Sequence, residues 1–509
     1  MTVSATITVE AEFATDVWTA IYSDIRSTSS LRLSRGKRGN SPLDRVASTG
    51  SLTYVLDNST GNSGGLLGYY SPDNANCRAG WKLGTRIRLK ITYAGTVNYK
   101  FLGKVDSIDP VSGKYGERSV GVSAVDYMDE LVGHKLDKIT AQQTVRGEQL
   151  LAAVIANMPN APIATAYGAG VDTYTRGLHS ERDEGTTGMT ACQKIAQSGM
   201  DDIYITGDLT AGETLVYRSR HERIKTTTVT ATFTDTMTGM RIKHAREAIY
   251  NQIKTTIYPV QKDTLSVILY ALQREISLTP SQVYTFTARY TDPLSSGRRV
   301  SGENMITPVA DTDYKMSNIS GNGGNNLNPS LGINVTFGAN SAEVILTNNG
   351  TSTGYVNRFN LRGYGLYEYD PVEINGEDSD SQILNGDRAL NYHMPYQDNP
   401  NIGEDFKNYL LTHWKNPHTS VESVEFVANS SDALMTAMLD LDIGKRITVT
   451  ETVTGVSKDY FVNGYALTIE PNDIIRCILG PLEPADVEQY WLLGIINYGE
   501  LDTNTRLGW

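Results

Sequence analysis

The sequence of 509 residues is poor in cysteine and has no long apolar run. Its three cysteines, Cys77, Cys192 and Cys477, lie far apart and form no CxxC pair, so neither a disulfide framework nor a zinc site is indicated. No run of about 18 or more apolar residues occurs, and we expect no membrane-spanning segment. The first residues lack the basic start and apolar core of a signal peptide, so we expect folding in a reducing cytoplasm.

Basic residues are fewer than acidic ones, 45 against 57. The net charge of −12 argues against a free-standing nucleic-acid binder, because such binding relies on cations that neutralise phosphates. Nine Phe and five Trp stand against 29 Tyr and 46 Gly, a composition that suits half-exposed strands and tight turns. The length allows about three or four domains, each with its own core.

One stretch near the end, Leu439–Glu483, holds three runs rich in β-branched residues that are separated by turn signals, which predicts an antiparallel meander. An earlier segment, Leu83–Pro110, resembles it. At one offset of 360, Gly84, Arg86, Ile87 and Phe101 match Gly444, Arg446, Ile447 and Phe461; after a slip of one residue, Gly103 matches Gly464 and Pro110 matches Pro471. Two meanders can match by chance, but the collinear order favours two copies of one small barrel.

The remaining patterns complete a predicted fold that is mainly β with an α+β module. We expect a first β-barrel at 1–135, a small α+β domain at 136–222, a second β-barrel at 223–260 plus 387–485, an inserted β-sandwich at 261–386, and a C-terminal docking tail at 486–509. Asn399-Pro400 predicts a helix start. Glu377–Gly386 is polar and is interpreted as the exit linker, so deleting 262–385 is expected to leave the host barrel folded.

The candidate catalytic and metal-binding motifs of the sequence are incomplete. Gly61–Gly65 reads GNSGG, but no histidine precedes it as the order of a trypsin-like protease requires. Asp378 opens like a calcium loop, yet Ile383 and Ala389 occupy the required glycine and glutamate positions. We therefore expect no enzyme activity, no metal site and no cofactor.

Two patterns remain open. Acids cluster at Asp201-Asp202, at Asp440 and Asp442, and at Glu377–Asp380, where a solvated face is a simpler interpretation than paired catalytic carboxylates. Three tyrosines alternate along a predicted strand, Tyr364, Tyr367 and Tyr369. They could stack on sugars, although tyrosines in this pattern are more often plain sheet surface.

Short motifs in a fixed order resemble a known family, the tail hub or minor tail proteins of long-tailed phages and related gene-transfer particles. The motifs are Leu31–Lys37, Leu43–Arg45, Thr53–Asn58, Leu83–Leu89, Leu439–Thr450, Phe461–Pro471, Tyr490–Gly494 and Leu501–Gly508. The loop Ser59–Gly80 departs from the more regular segment of the family.

The resemblance implies a homotrimer that caps the tail tube at the virion tail tip, assembled in the host cytoplasm. Two tube-like barrels per subunit would form a pseudo-sixfold ring, with a tail-tube or distal tail protein above and tail fibre or receptor-binding proteins below. Genome DNA would pass without specific binding, so the lumen should carry more carboxylates than cations, with Asp440 and Asp442 as candidates. The alternative is a carbohydrate-binding adhesin or depolymerase that acts through Leu265–Glu373.

Overall fold

The computed structural model describes residues 3–114, 116–136, 139–179, 186–321, 323–417 and 420–485, except for the side chains of Ile224 and Glu247. Strands dominate these residues, which confirms the mainly β prediction. None of the described helices is both long and apolar enough to cross a membrane. The docking tail predicted at 486–509 lies outside the described residues.

In the described residues, seven strands form the first β unit. They are β1 (Thr6–Ala14), β2 (Val17–Ala20), β3 (Leu31–Gly36), β4 (Ser48–Asp57), β5 (Arg86–Tyr93), β6 (Thr96–Val111) and β7 (Ser119–Val125). Their order in the sheet is β3-β4-β7-β6-β5-β1-β2. Every second residue of β4 is buried, which is the period of a strand with one face on the core.

The α+β module follows. Its elements are α1 (Met128–Gly133), β8 (Gln142–Arg146), α2 (Gly147–Ala156), β9 (Ala164–Tyr167), β10 (Thr173–Gly177), α3 (Gly188–Gly199), β11 (Asp202–Thr206), β12 (Thr214–Arg218) and α4 (Arg220–Lys225). Helices α2 and α3 pack together, and α2 buries an apolar face of Leu150, Leu151, Val154 and Ile155. The module thus adds its apolar side chains to the core of the first β unit.

The second β unit comes from two separated parts of the chain. Its elements are β13 (Val229–Phe233) and β14 (Gly239–Lys243), then β29 (Ser420–Val427), α7 (Asp432–Asp440), β30 (Arg446–Glu451), β31 (Val456–Val462), β32 (Gly464–Glu470), β33 (Ile474–Leu479) and β34 (Leu482–Pro484). Strands β14, β29, β33 and β32 are successive neighbours in the sheet. β31 precedes β32 in the chain with only Asn463 between them. β31 pairs with β30, which pairs with β13.

The two β units form one sheet, because β3 pairs with β32 as well as with β4. One hydrophobic core also spans both units and the α+β module. Among the described residues the strand pairings do not close a barrel. The predicted pair of tube-like β-barrels is therefore corrected to two β units that share a seam.

The described residues of the insert form eleven strands. They are β16 (Val260–Lys262), β17 (Val267–Ala271), β18 (Ile276–Leu278), β19 (Val283–Arg289), β20 (Thr291–Asp292), β21 (Ser295–Arg299), β22 (Ser301–Ile306), β23 (Tyr314–Ser317), β24 (Leu331–Phe337), β25 (Ser341–Asn348) and β26 (Gly354–Glu368). One sheet is built around β26 and another around β25. Phe286 and Phe359, one from each sheet, meet edge to face at 6.0 Å in a separate core.

A fifth region, here called the helix-backed sheet, was not predicted. It contains β15 (Gln252–Ile257), β27 (Val372–Glu377), α5 (Ser379–Asn385), β28 (Ala389–Met394) and α6 (Pro400–Trp414). Strand β15 lies between β27 and β28, and α6 packs on β15 and β27. The segment Glu377–Gly386 is therefore not a linker, since it ends a paired strand and forms α5. This sheet has its own core and lies outside the large sheet. Assigning β15 and β28 to the second barrel, and β27 to the inserted sandwich, was therefore wrong.

Candidate functional site at the seam of the two β units

The seam is built from the backbone of β3. This strand lies antiparallel to β32 with Leu31 opposite Ile469 and Gly36 opposite Gly464. One residue later, the Lys37 N–H donates to the Asn463 carbonyl at 2.8 Å. Backbone hydrogen bonds thus join the two units continuously, as within any single sheet.

Glycines allow the strands to approach closely at one end of the seam. Gly36 has φ of +130°, and a Cβ atom there would lie 2.4 Å from the Asn463 carbonyl oxygen. A Cβ on Gly464 would lie 2.2 Å from the carbonyl oxygen of Gly480. Any side chain at these positions would push backbone apart, so the seam requires glycine.

A buried ion pair ties three regions together beside the seam. The Arg35 guanidinium donates to both carboxylate oxygens of Asp442, with Nε 3.2 Å from Oδ1. Asp442 also accepts from the Gly207 N–H at 3.0 Å, and Arg35 donates to the Lys100 carbonyl at 2.7 Å. Since Asp442 is buried, its predicted role as a lumen acid is wrong; Asp440 is exposed.

A second buried charge cluster lies at the same junction. Asp202 of the module is 3.0 Å from Lys37 Nζ, 3.6 Å from Arg45 Nη1 and 3.3 Å from Arg223 Nη1. Glu483 of the second unit is 2.6 Å from Arg223 Nη2 and 3.9 Å from Lys37 Nζ. Three cations thus enclose two carboxylates.

The pKa values of this cluster follow from burial and pairing. Burial alone would raise the pKa of Glu483, yet Arg223, Lys37 and Arg45 hold it at about 2. The pKa of Asp202 is likewise held well below its usual value, although burial opposes the three cations. Both carboxyls stay ionised at any pH near neutrality, so the cluster is fit for fixing geometry rather than for moving protons.

The duplicated glycines occupy the same backbone position in the two units. Gly84 has φ of +80° and Gly444 has φ of +81°. The Gly84 N–H donates to the Val105 carbonyl at 2.8 Å, and the Gly444 N–H donates to the Val462 carbonyl at 2.7 Å. Both valines return a hydrogen bond of 2.9 Å to the residue after the glycine. The left-handed turn before β5 and β30 is therefore the same structure.

The residues after each glycine share a face but differ in their partners. Ile87 and Ile447 are fully buried, while the arginines before them lie on the opposite face. Arg86 binds Glu12 of β1 at 3.0 Å, whereas Arg446 binds Asp459 of β31 at 2.6 Å.

The later matches of the offset do not occupy equivalent positions. Arg86 lies opposite Lys104, but Arg446 lies opposite Phe461, so Phe101 and Phe461 differ by three positions. The same correction applies to the glycine and proline matches. Gly103 lies opposite Ile87 and Gly464 opposite Gly36; Pro110 lies inside β6 opposite Val120, whereas Pro471 begins a turn after β32.

The basic residues at the seam were quoted as motif residues, but sequence reasoning gave them no role. Arg35, Lys37 and Arg45 are each less than a tenth exposed. Arg35 shares the face of the buried Leu31 and Leu33 along β3, and a charge at a core position of an alternating strand needs a buried partner. That signal could have identified Arg35; the identity of its partner could not be read from the sequence.

The three tyrosines that could stack on sugars lie on the insert. Tyr367 donates to Asp263 at 3.0 Å, Tyr369 is 55% exposed and donates to Gln261, and Lys262 lies 4.5 Å from the ring of Tyr364. Strand alternation places Tyr364 on the face opposite the other two. They do not form one platform.

In the part of the chain that the structure describes, no group of three His, Cys, Asp or Glu side chains is placed to hold a metal ion. A cleft of 250 Å³ between the first unit and the module is lined by charged groups that include Arg86, Lys104 and Glu130. Lys104 and Glu130 pair with each other, and Arg86 pairs with Glu12. Each of these three charged groups thus has a counter-charge.

Comparison with known proteins shows similarity in structure rather than in sequence. No protein-family model and no curated protein sequence matches the chain. The 43 kDa tail protein of prophage MuSo2 from Shewanella oneidensis is similar at 11% identity over 95% of this chain and 99% of that one, with a TM-score of 0.51. A tail protein from Neisseria meningitidis MC58 is similar at 10% identity over 94% and 96% of the two chains, with a TM-score of 0.49. The predicted resemblance to phage tail proteins is confirmed at the level of the fold.

Proposed function

We propose that the chain is a structural protein of a phage-like tail, and that three copies form a pseudo-sixfold ring at the tail tip. The observation that supports this proposal is that one strand order occurs twice within the chain. In the first unit the order is β3-β4-β7-β6-β5, and in the second it is β14-β29-β33-β32/β31-β30, with the same antiparallel senses. Two equivalent units in each of three chains would meet a sixfold tube.

The seam within the chain supports a specific contact between chains. It joins β3 of the first unit to β32 of the second. β30 pairs with β31, the strand that precedes β32, and does not cover β32. By the equivalence of strands, β14 corresponds to β3, and the second half of β6 corresponds to β32. Within the described residues β14 pairs with β29 alone, and the second half of β6 pairs with β7 alone. Each of these strands therefore presents one backbone edge that can accept a neighbour.

We propose that β14 of one subunit pairs antiparallel with the second half of β6 of the next subunit. The register follows from the internal seam, where Arg32 lies opposite Thr468. When residues are matched through the strand pairings of the two units, Arg241 is equivalent to Arg32, and Val111 is equivalent to Thr468. Both Arg241 and Val111 are exposed. In the ring, Arg241 should lie opposite Val111 of the neighbouring subunit.

Light scattering after size-exclusion chromatography tests the ring, and electron microscopy tests its symmetry. Paired cysteines test the register. Arg241→Cys with Val111→Cys, in a Cys77→Ser background, should form intermolecular disulfides that link three chains. Arg241→Cys with Ser107→Cys is the matched control, since four residues displace the partner by about 13 Å along a strand. A monomer, or cross-linking in the control pair alone, contradicts the proposal.

The proposed ring would surround a DNA path and act without catalysis, with tail-tube and receptor-binding proteins on its two sides. The net charge of −12 supports a lumen that repels phosphates. With Asp442 buried, Asp440 remains as a candidate lumen acid. A ring density map in which Lys and Arg line the channel would contradict the acidic lumen while leaving the ring itself intact.

A further inference from the structure

The helix-backed sheet has one covered face and one open face. Ile253, Ile257, Leu390, Tyr392 and Met394 point toward α6 and α3 and are buried. Since side chains alternate along a strand, their neighbours lie on the opposite face. That face carries polar residues and, in the described residues, no helix covers it.

A cleft of 440 Å³ lies on the open face, which is within the size range of small-ligand sites. It is lined by residues of all three strands: Gln252, Ile253, Lys254, Asn375, Gly376, Glu377, Ala389 and Asn391. Three of these residues carry carboxamides. Asn375 and Asn391 are exposed and Gln252 is half-buried, and within the described residues no hydrogen bond engages their side-chain amides.

The frame around the cleft is held in place. Asn251, fully buried, donates to Ser381 at 3.2 Å and to the Gly386 carbonyl at 2.9 Å, and accepts from the Arg388 N–H at 2.8 Å. These bonds fix α5 and the start of β28 at one end of the cleft. At the other end of the same face, Tyr258 and His393 are joined at 2.7 Å with their rings 6.3 Å apart. The amides and the two rings thus lie on the same face of the sheet.

The chemistry of the cleft restricts its ligand. Lys254 and Glu377 balance each other in the lining, and Glu373 adds a carboxylate 2.9 Å from Lys254, so a phosphate or other polyanion would be repelled. The backbone of β15 is paired on both sides, so a peptide cannot extend the sheet there. Carboxamides both donate and accept, as the hydroxyl and acetamido groups of sugars do.

We propose that this face binds a neutral oligosaccharide. The amides of Gln252, Asn375 and Asn391 would bind its hydroxyl or acetamido groups, and the Tyr258–His393 pair would offer an aromatic surface to a sugar ring farther along. The site lies within one chain, so it does not depend on the ring proposed above. It also differs from the tyrosines of the insert.

A glycan array probed with the full-length protein tests the proposal, followed by calorimetric titration with the glycan that binds most strongly. The double variant Gln252→Ala/Asn391→Ala should lower the affinity at least tenfold, because two hydrogen bonds to the ligand are lost. Asn334→Ala, which removes an exposed amide of the insert, is the matched control and should not change the affinity.

Three results would overturn the proposal. An array without any bound glycan rejects it, as does binding that survives in the double variant. Binding that is lost only in Tyr369→Ala places the site on the insert instead. Unfolding curves of each variant separate a lost contact from a lost fold. Trimer formation is measured on the same samples, so a failure here is distinguishable from a failure of the ring.

Discussion

The two β units share a strand order but differ at their outer edge and in their surroundings. In the first unit, β1 lies antiparallel to β5; in the second, β13 lies parallel to β30. β6 runs for 16 residues, whereas its counterpart is interrupted at Asn463. The interior order of the sheet is thus kept while the edge strand changes direction.

Chain connection accounts for the difference at the edge. Residues 15–30 separate β1 from β3 and include β2, so the chain is long enough to turn back along the edge of the sheet. Residues 234–238 alone separate β13 from β14, although these strands lie at opposite ends of their sheet order. So short a connection reaches at most about 21 Å. The second unit must therefore curve until its ends approach, and β13 enters in the opposite direction.

The sharpest contrast between the units is the residue two positions before the repeated glycine. In the second unit it is Asp442, buried against Arg35; in the first it is Lys82, which is exposed. Asp442→Asn should destabilise the protein by about 3–5 kcal/mol, because Arg35 keeps its charge without a buried counter-ion. Lys82→Gln should change stability by less than about 0.5 kcal/mol. Denaturant unfolding measures both, and equal effects would contradict the role of Asp442 at the seam.

The repeated glycines themselves allow a matched comparison. Gly84→Ala meets no atom within 4 Å and should cost about 1–2 kcal/mol for the left-handed backbone alone. Gly444→Ala places a Cβ 2.3 Å from Tyr204 Oη and 2.8 Å from Arg218 Nη1, so overpacking adds to the cost. We expect about 2–4 kcal/mol for Gly444→Ala by chemical denaturation. If Gly84→Ala is the more harmful change, the module does not constrain the second unit as described.

The units also differ in their buried carboxyls: cations hold down the pKa of Glu483 in the second unit, whereas burial dominates at Asp126 in the first. Burial raises the pKa of Asp126, at the end of β7, to about 7, and its Oδ2 has no partner within the described residues. In the unfolded chain this carboxyl ionises near pH 4. Between these values the folded state binds more protons, so the contribution of Asp126 to stability falls as the pH rises.

Asp126→Asn should therefore stabilise the protein at pH 8 and have little effect at pH 4. Each unit of pKa difference is worth about 1.4 kcal/mol, but the new amide also lacks a partner, so we expect a net gain of about 1–3 kcal/mol at pH 8. Asp109→Asn, at an exposed carboxylate of β6, is the control. Thermal unfolding between pH 4 and pH 8 measures the gain in stability. A gain of the same size at pH 4 would show that the raised pKa of Asp126 is not its cause.

The smallest effect is expected from removing the insert at the correct boundary. Val260 and Glu368 are paired antiparallel, so Asn-Gly in place of 261–367 would close a two-residue hairpin. This deletion should preserve the oligomeric state and lower the melting temperature by only a few degrees. Deletion of 262–385 also removes β27 and α5, which uncovers β15, and should aggregate or unfold. Light scattering distinguishes the two, and identical behaviour would restore the linker interpretation.

Local patterns predicted much of the fold. Asn399 caps α6 as predicted, with its side chain accepting from Asn401 at 3.0 Å. The glycine, arginine and isoleucine at the start of each meander were aligned correctly because a left-handed turn constrains its sequence locally. The alignment failed after that turn, because the lengths of β5 and β30 differ and nothing local records the shift.

The helix-backed sheet could not be predicted in the same way. Its central strand precedes the insert and its two neighbours follow it, so its pairings join residues more than a hundred positions apart. Each strand is short, and the alternation of Val372–Glu377 is too polar to read as a strand. The candidate glycan site therefore became visible only in the folded chain.

The sequence by itself determined the strand-rich composition, the repeated turn and the resemblance to tail proteins, because backbone preference and alternation act over a few neighbouring residues. Tertiary structure alone decided which charges meet. Arg35 and Asp442 lie 407 positions apart, and Lys37, Asp202 and Glu483 come from three regions. A buried charge is stable only beside its counter-charge, and that proximity is created by the seam between β3 and β32.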